Sequence, residues 1–368
     1  MAAIRFVERS DVSSEQPLDG KRVLITGGTG SLGQVLVRRL LTAEMGRPSK
    51  IIIFSRDEAK QHNMRVAYMR APGATDEIIF RDFRELLEFR IGDVRDRHAL
   101  AAALADADVV FSAAALKQVP TCEYFPWEAV RTNVEGPENI VAAVKEHRLP
   151  VKTVVGVSTD KACKPVNVMG MTKAIQERVF INANLRCPET RFVCVRYGNV
   201  LASRGSVIPL FREQIRAGGP VTITHADMTR FLISLDDAVD VIFSAVRVAN
   251  PGETFIPRVP SARVTDIAAV MVGERPIEII VTGIRPGEKV HEILVSEEEA
   301  HRTIERSSRY YSILPMLPEL RADEVVPKAL AHEYSSADSV MAREELAKLL
   351  ESHLLTDFEG EQHGELLA

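Results

Sequence analysis

The 368-residue sequence contains no run of about 18 apolar residues, which leaves no candidate for a membrane-spanning helix. Its N-terminus lacks the basic, apolar and small-residue order of a secretory signal, so the expected location is the cytoplasm. Cysteine is scarce, and Cys122, Cys163, Cys187 and Cys194 are neither dense nor in metal-ligand spacing. Reduced thiols follow, with no disulfide scaffold and no metal expected. No basic tract stands out from a formal charge of −5, because Lys and Arg are interspersed with Asp and Glu, and this points away from nucleic acid as a partner. There is no internal repeat or low-complexity segment. What remains is an ordinary globular composition, 46% hydrophobic and 26% charged, long enough for one large domain or two closely joined ones.

From Arg22 onward, short apolar runs alternate with amphipathic stretches, the pattern of parallel strands buried on both faces by crossover helices. Strands are expected at Arg22 to Thr26, Ile51 to Ser55, Phe89 to Gly92, Val109 to Ser112, Thr153 to Ser158 and Phe192 to Tyr197. Helices are expected at Leu32 to Ala43, Glu58 to Met69, Arg95 to Leu104, Pro126 to His147 and Met169 to Asn184. The fold class is therefore α/β, a Rossmann-type doubly wound parallel sheet with a smaller C-terminal substrate domain. Residues 1–19 read as an appended arm, 20–200 as the dinucleotide domain, 201–358 as the substrate region and 359–368 as a tail. The helices expected at Ser234 to Val248 and Arg263 to Met271 could pack back on the sheet, so the boundary near 200 is soft.

The run Gly27-Gly28-Thr29-Gly30-Ser31-Leu32-Gly33 joins the first strand to the first helix. Glycines there permit a tight turn and close approach of the backbone to a pyrophosphate, which the free N–H groups of the helix start attract. After the second strand, Ser55-Arg56-Asp57 favours NADP: Arg56, with Lys60 beyond it, suits its 2′-phosphate, while Asp57, suited to ribose hydroxyls, keeps NAD as the alternative. Asp93 and Val94 after the third strand are expected beside the adenine, unless Asp93 is a plain turn residue. Ala113, Ala114 and Ala115 after the fourth strand are small enough for a nicotinamide to approach, and Lys117 is a candidate for a substrate charge. After the fifth strand, Asp160 and Lys161 place an acid and a base side by side; the alternative is a capping aspartate with a solvated lysine.

These segments, with Arg196-Tyr197-Gly198-Asn199-Val200, Ser203 to Pro209, Met228 to Phe231, Arg285-Pro286-Gly287-Glu288-Lys289 and Tyr334-Ser335-Ser336, run in order from about Gly20 to Leu350. Together they resemble the UDP-N-acetylglucosamine 4,6-dehydratases, extended short-chain dehydrogenases, and most of all the soluble C5-inverting enzymes of capsule and O-antigen synthesis. In that family hydride leaves C4 of the sugar, water is eliminated across C5 and C6, and hydride returns to C6. The resemblance implies Asp160 as the acid at the C6 hydroxyl, Lys161 as the base at C5 and Thr159 at the C4 oxygen. It also implies Tyr197 and Asn199 at the cofactor, with Asn199, Ser206, Val207, Arg230, Arg285 and Glu288 holding the nucleotide and diphosphate. A homo-oligomer is expected on the same ground.

Most short-chain dehydrogenases carry Tyr-x-x-x-Lys on the helix after the fifth strand. Here that segment reads Met169-Gly170-Met171-Thr172-Lys173. The spacing to Lys173, expected at the nicotinamide ribose, survives, but the Met169 thioether cannot exchange a proton. Some members of the family share the methionine. The C4 base is left open between Asp160, Lys161 and a relay through Thr159. A C5-retaining dehydratase or another nucleotide-linked acetamido sugar as substrate is the near alternative; a non-catalytic NADP-binding regulator is the distant one.

Overall fold

The computed structural model describes residues 16–70, 86–201, 206–321, 327–353 and 355. The first fifteen residues of the expected arm, the tail 359–368 and Ser203-Arg204-Gly205 lie outside the described residues.

The first half alternates as β1 (Arg22–Thr26), α1 (Ser31–Leu41), β2 (Lys50–Ser55), α2 (Glu58–Arg70), β3 (Leu87–Ile91), α3 (Arg97–Leu104) and β4 (Val109–Ser112). It continues through α4 (Gly136–His147), β5 (Thr153–Val157), α5 (Val168–Arg186) and β6 (Arg191–Val195). The strands pair in parallel in the order β3-β2-β1-β4-β5-β6, so the winding direction reverses between β1 and β4. Ligand crevices form at such a reversal, beyond the carboxyl ends of the strands. Apolar, β-branched runs make β1 and β2, and burial on both faces requires that composition. Val35, Leu36 and Leu40 of α1 cover one face with Val239 and Ile242 of the helix Leu235–Val248. The other face is covered by Leu100 and Leu104, Ile140 and Val144, and Phe180, from α3, α4 and α5.

Three features depart from the sequence-based expectation. The helix expected from Pro126 to His147 is broken: Pro126–Val130 is followed by a π turn, Arg131–Glu135, before α4. The large sheet also continues past β6, through Thr254–Pro257, parallel to β6, and then Tyr310–Ile313 and Thr303–Ser307, each antiparallel to the strand before it. These strands are short and carry Pro257, Glu305 and Arg306, so no apolar run announces them. Finally, Leu235–Val248 packs on the large sheet as expected, whereas Val264–Val272 joins a separate core with Ile208, Phe211, Val221 and Leu346. At the other end, Leu18 of the expected arm is fully buried, and its N–H donates to the Met45 carbonyl.

Candidate active site

A cleft of ≈ 560 Å³ opens at the reversal point. Its floor is the turn from β1 to α1, where Gly27 has φ +68°, a left-handed conformation that favours glycine. A Cβ on Gly27 would come within 2.8 Å of Ala114 Cα, and one on Gly33 within 2.5 Å of Gly28 Cα, so backbone packs directly on backbone. No side chain caps α1 at Gly30, which leaves its first N–H groups open to an anion. Thr29, Ser31 and Leu32 line the same wall, and Thr29 Oγ1 lies 2.9 Å from Ser55 Oγ.

Arg56, Asp57 and Lys60 stand at the end of β2, all on the cleft. Asp57 accepts from the Lys60 N–H and lies 3.8 Å from its ammonium, so its carboxylate serves the start of α2. Arg56 is exposed, 3.7 Å from Asp93, and Asp93 is itself held by Arg95. Val94, Ala113, Ala114, Ala115 and Lys117 complete this side.

The turn after β5 is fixed by backbone: Ser158 N–H donates to Val195 O and Asp160 N–H to Tyr197 O. Thr159 and Lys161 reach the cleft, while Asp160 lies behind them, fully buried. Asp160 Oδ1 accepts from Lys161 Nζ at 2.9 Å and from Thr159 Oγ1 at 2.8 Å; its Oδ2 is buried without a partner. Burial raises the Asp160 carboxyl above the ordinary carboxylate range, Lys161 partly offsets this, and Glu292 adds to the rise. Burial alone would lower the Lys161 ammonium, but Asp160 and Glu292 outweigh it and hold it above the usual lysine value. The sequence reading missed Glu292, which sits 3.3 Å from Lys161. It is 131 positions away in the chain (292 − 161), and no spacing rule connects such residues.

Met169 lines the cleft and also packs with Cys122 and Ala129, so it is both wall and core. Lys173 donates to Val157 O and Gln176 Oε1, each at 2.6 Å, and burial lowers its ammonium to about 8. The π turn earns its place here: Asn133, fully buried, bonds both the N–H and the carbonyl of Leu116, while Thr132 faces the cleft with its hydroxyl unpartnered. A π turn inside a helix often marks a functional site, but no local sequence signal announced this one.

The residues expected at the nucleotide divide. Tyr197, Asn199 and Ser206 line the cleft, and Asn199 Oδ1 and Ser206 Oγ are buried without partners. Unpaired buried oxygens of this kind call for a donor from a ligand. Val207, Arg230, Arg285 and Glu288 are not on the cleft wall. Arg230 is turned inward to Thr229 O and Val290 O, because two carbonyls and Glu292 satisfy a guanidinium that the core would otherwise strand. Arg285 and Glu288 form an exposed turn, the Arg285 N–H donating to Glu288 Oε2, and Val207 is the first residue of a helix whose N-cap is Ser206.

Among the described residues no group of three or more His, Cys, Asp or Glu gathers in metal-binding fashion, and no helix is long and apolar enough to cross a membrane.

Residues 23–314 match the family described as polysaccharide biosynthesis protein. The UDP-N-acetylglucosamine 4,6-dehydratase (inverting) of Campylobacter jejuni is 43% identical, covering 81% of this chain and 84% of its own. A UDP-glucose 4-epimerase of Rickettsia massiliae is 44% identical over 76% of this chain and 79% of its own. Among solved structures, Pen from Bacillus thuringiensis superposes with a TM-score of 0.81 at 34% identity, covering 92% of this chain and 99% of that one.

Proposed function

Because the chain belongs to the polysaccharide biosynthesis protein family, we propose that it is a nucleotide-sugar 4,6-dehydratase. It converts UDP-N-acetylglucosamine to a UDP-4-keto-6-deoxy-N-acetylhexosamine with inversion at C5. The observation that carries this reading is the Asp160-Lys161 pair at the mouth of β5, where the amine reaches the cleft and the carboxyl behind it is raised by burial. An acid that keeps its proton beside a base is what elimination of water requires.

The glycine turn, the uncapped start of α1 and the alanines after β4 fit a nicotinamide dinucleotide. When bound, it supplies a reversible hydride acceptor. Arg56 and Lys60 favour NADP, since Asp57 is engaged with the start of α2 and the exposed guanidinium is available to a 2′-phosphate. Lys173 positions the ribose, and Thr159 binds the C4 oxygen. Lys161 Nζ takes the C5 proton, made acidic by the adjacent ketone. The C–H electron pair becomes the C5–C6 double bond, the C6–O bond breaks, and the hydroxyl leaves as water with the Asp160 proton. Asn199 and Ser206 offer acceptors to the nucleotide, and Lys117 a charge to the diphosphate.

Met169 separates this reading from a 4-epimerase, whose chemistry depends on a tyrosine at that place. Incubation with UDP-N-acetylglucosamine and NADP in D2O, followed by proton NMR, tests the reaction. The expected product is the 4-keto-6-deoxy sugar carrying deuterium at an inverted C5. A C4 epimer, a retained C5 or unchanged substrate overturns the corresponding part of the reading.

The protein assembles as a homo-oligomer through the exposed Tyr124, Phe125 and Trp127, on a segment that packs against α5, which itself exposes Met171 and Ile175. Exposed large apolar side chains of this kind are characteristic of association surfaces.

A further inference from the structure

Lys161 Nζ lies between two carboxyl groups, 2.9 Å from Asp160 Oδ1 and 3.3 Å from Glu292 Oε1. Both acids are buried, and Asp160 Oδ2 and Glu292 Oε2 are both without hydrogen-bond partners. A buried carboxylate left half-satisfied is costly unless a nearby positive charge compensates it. Glu292 is nevertheless held firmly: its N–H donates to Ser336 Oγ, the Ser336 N–H donates to its carbonyl, and Ser336 Oγ lies 2.6 Å from Thr229 Oγ1. Ser336, distant from the cleft in sequence, thereby anchors the backbone from which this carboxylate projects.

We propose that Glu292 is a positioning residue for the elimination: its carboxylate is the fixed counter-charge that receives the Lys161 ammonium when Lys161 takes the C5 proton. The proposal rests on the dehydratase reading. In the reactive form of the pair the proton has passed from Lys161 Nζ to Asp160 across their 2.9 Å contact, leaving Lys161 a free amine, and Glu292 is offset by Arg230, whose Nε lies 3.8 Å away. After it, Asp160 is a carboxylate and Lys161 an ammonium, so the step leaves the net charge of this buried set unchanged. Without Glu292 the new ammonium would have Asp160 as its sole anionic neighbour in the set, and Arg230 would remain as an uncompensated positive charge. Among the described residues the charged groups facing the pair are Arg230 on the strand Thr229–Ile233 and Lys289 and Glu292 on the segment before Ile293. From α5 the close neighbour is uncharged, since Gly170 packs on the Lys161 carbonyl.

Removing one negative charge beside two titrating groups lowers both their pKa values, whichever of the two carries the proton. In Glu292→Gln, both limbs of the pH profile of kcat should move to lower pH together, by roughly one unit. Glu292→Asp, which keeps the charge, should restore most of the wild-type profile. A residue that only supports the fold would lower kcat at every pH and leave the limbs in place. Independently of turnover, 13C NMR of aspartate-labelled protein reads the Asp160 carboxyl, assigned by its loss in Asp160→Asn, and its titration should fall by a similar amount in Glu292→Gln. If that variant does not fold, the Asp variant should still shift the resonance in the same direction by less. An unmoved Asp160 titration overturns the proposal, whereas absence of product from the wild type overturns the dehydratase reading and leaves the NMR result to decide the role of Glu292.

Discussion

Met169 shows how a single side chain separates two chemistries. Where related dehydrogenases place a phenol, this chain places a thioether that can neither give nor take a proton. It is buried with Cys122 and Ala129 while one side faces the cleft. Met169→Leu should therefore leave kcat within a few-fold of wild type and cost less than about 1.5 kcal/mol, because the change conserves volume and removes no proton carrier. Product NMR and a thermal melt check the two halves. A hundredfold loss of kcat with an intact melt would show that the sulfur itself takes part.

The same scale shows what was legible in advance. Asp160, Lys161 and the glycines of 27–33 could be read because their meaning is local: a strand, a turn and a helix start, all within a few residues. Glu292 and Asn133 could not. The first meets Lys161 through the tertiary fold alone, and the second acts through a π turn that no periodicity reveals. Arg230 shows a related limit, since a sequence motif names a residue but not the direction in which its side chain turns, here toward Thr229 O and Val290 O.

At the scale of elements, β6 and α5 are joined by a buried ionic cluster. Arg196, at the end of β6, binds Glu177 of α5 and Glu299 of the helix Glu297–Ala300, with Nη-to-oxygen distances of 2.6 and 2.8 Å. Glu177 also accepts from Ser158 Oγ at 2.5 Å, which ties the cluster to the catalytic turn. Burial alone would raise Glu299, but Arg196 and the Ser296 N–H bring it from 4.5 down to about 2. A carboxylate depressed in this way stabilises the fold above its unfolded pKa, and that stability fades as pH falls from 4.5 toward 2. Glu299→Gln should cost roughly 3 kcal/mol at neutral pH, since it leaves Arg196 partly uncompensated. Urea melts of both proteins from pH 7 to pH 3 should converge as the wild type loses the contribution. Parallel curves would show that Glu299 does not titrate with folding.

At the scale of the whole molecule, the sequence reading assigned the first six strands and, apart from the helix broken at Arg131–Glu135, their crossover helices to the right places, because buried strands read as apolar runs. It missed the three later strands of the same sheet, where polar residues and proline are tolerated toward an edge. The assembled protein should also expose its association surface to a simple test. The chain has one tryptophan, Trp127, with 69% of its surface accessible in the single chain. Light scattering should give a multiple of 40.7 kDa for the wild type and a smaller species for Trp127→Arg. Equal masses would move the interface elsewhere.

The continuous sheet has a mechanical consequence. Thr254–Pro257 is stitched to β6, with the Cys194 N–H donating to Glu253 O and the Arg196 N–H to Phe255 O, and β6 in turn holds the turn that carries Thr159, Asp160 and Lys161. Force applied at the far edge has an unbroken path of main-chain bonds to the reacting groups. The strands Thr254–Pro257 and Tyr310–Ile313 therefore cannot move independently of the catalytic turn. A protein severed near residue 200 would lose the rigidity of its catalytic turn along with its outer strands.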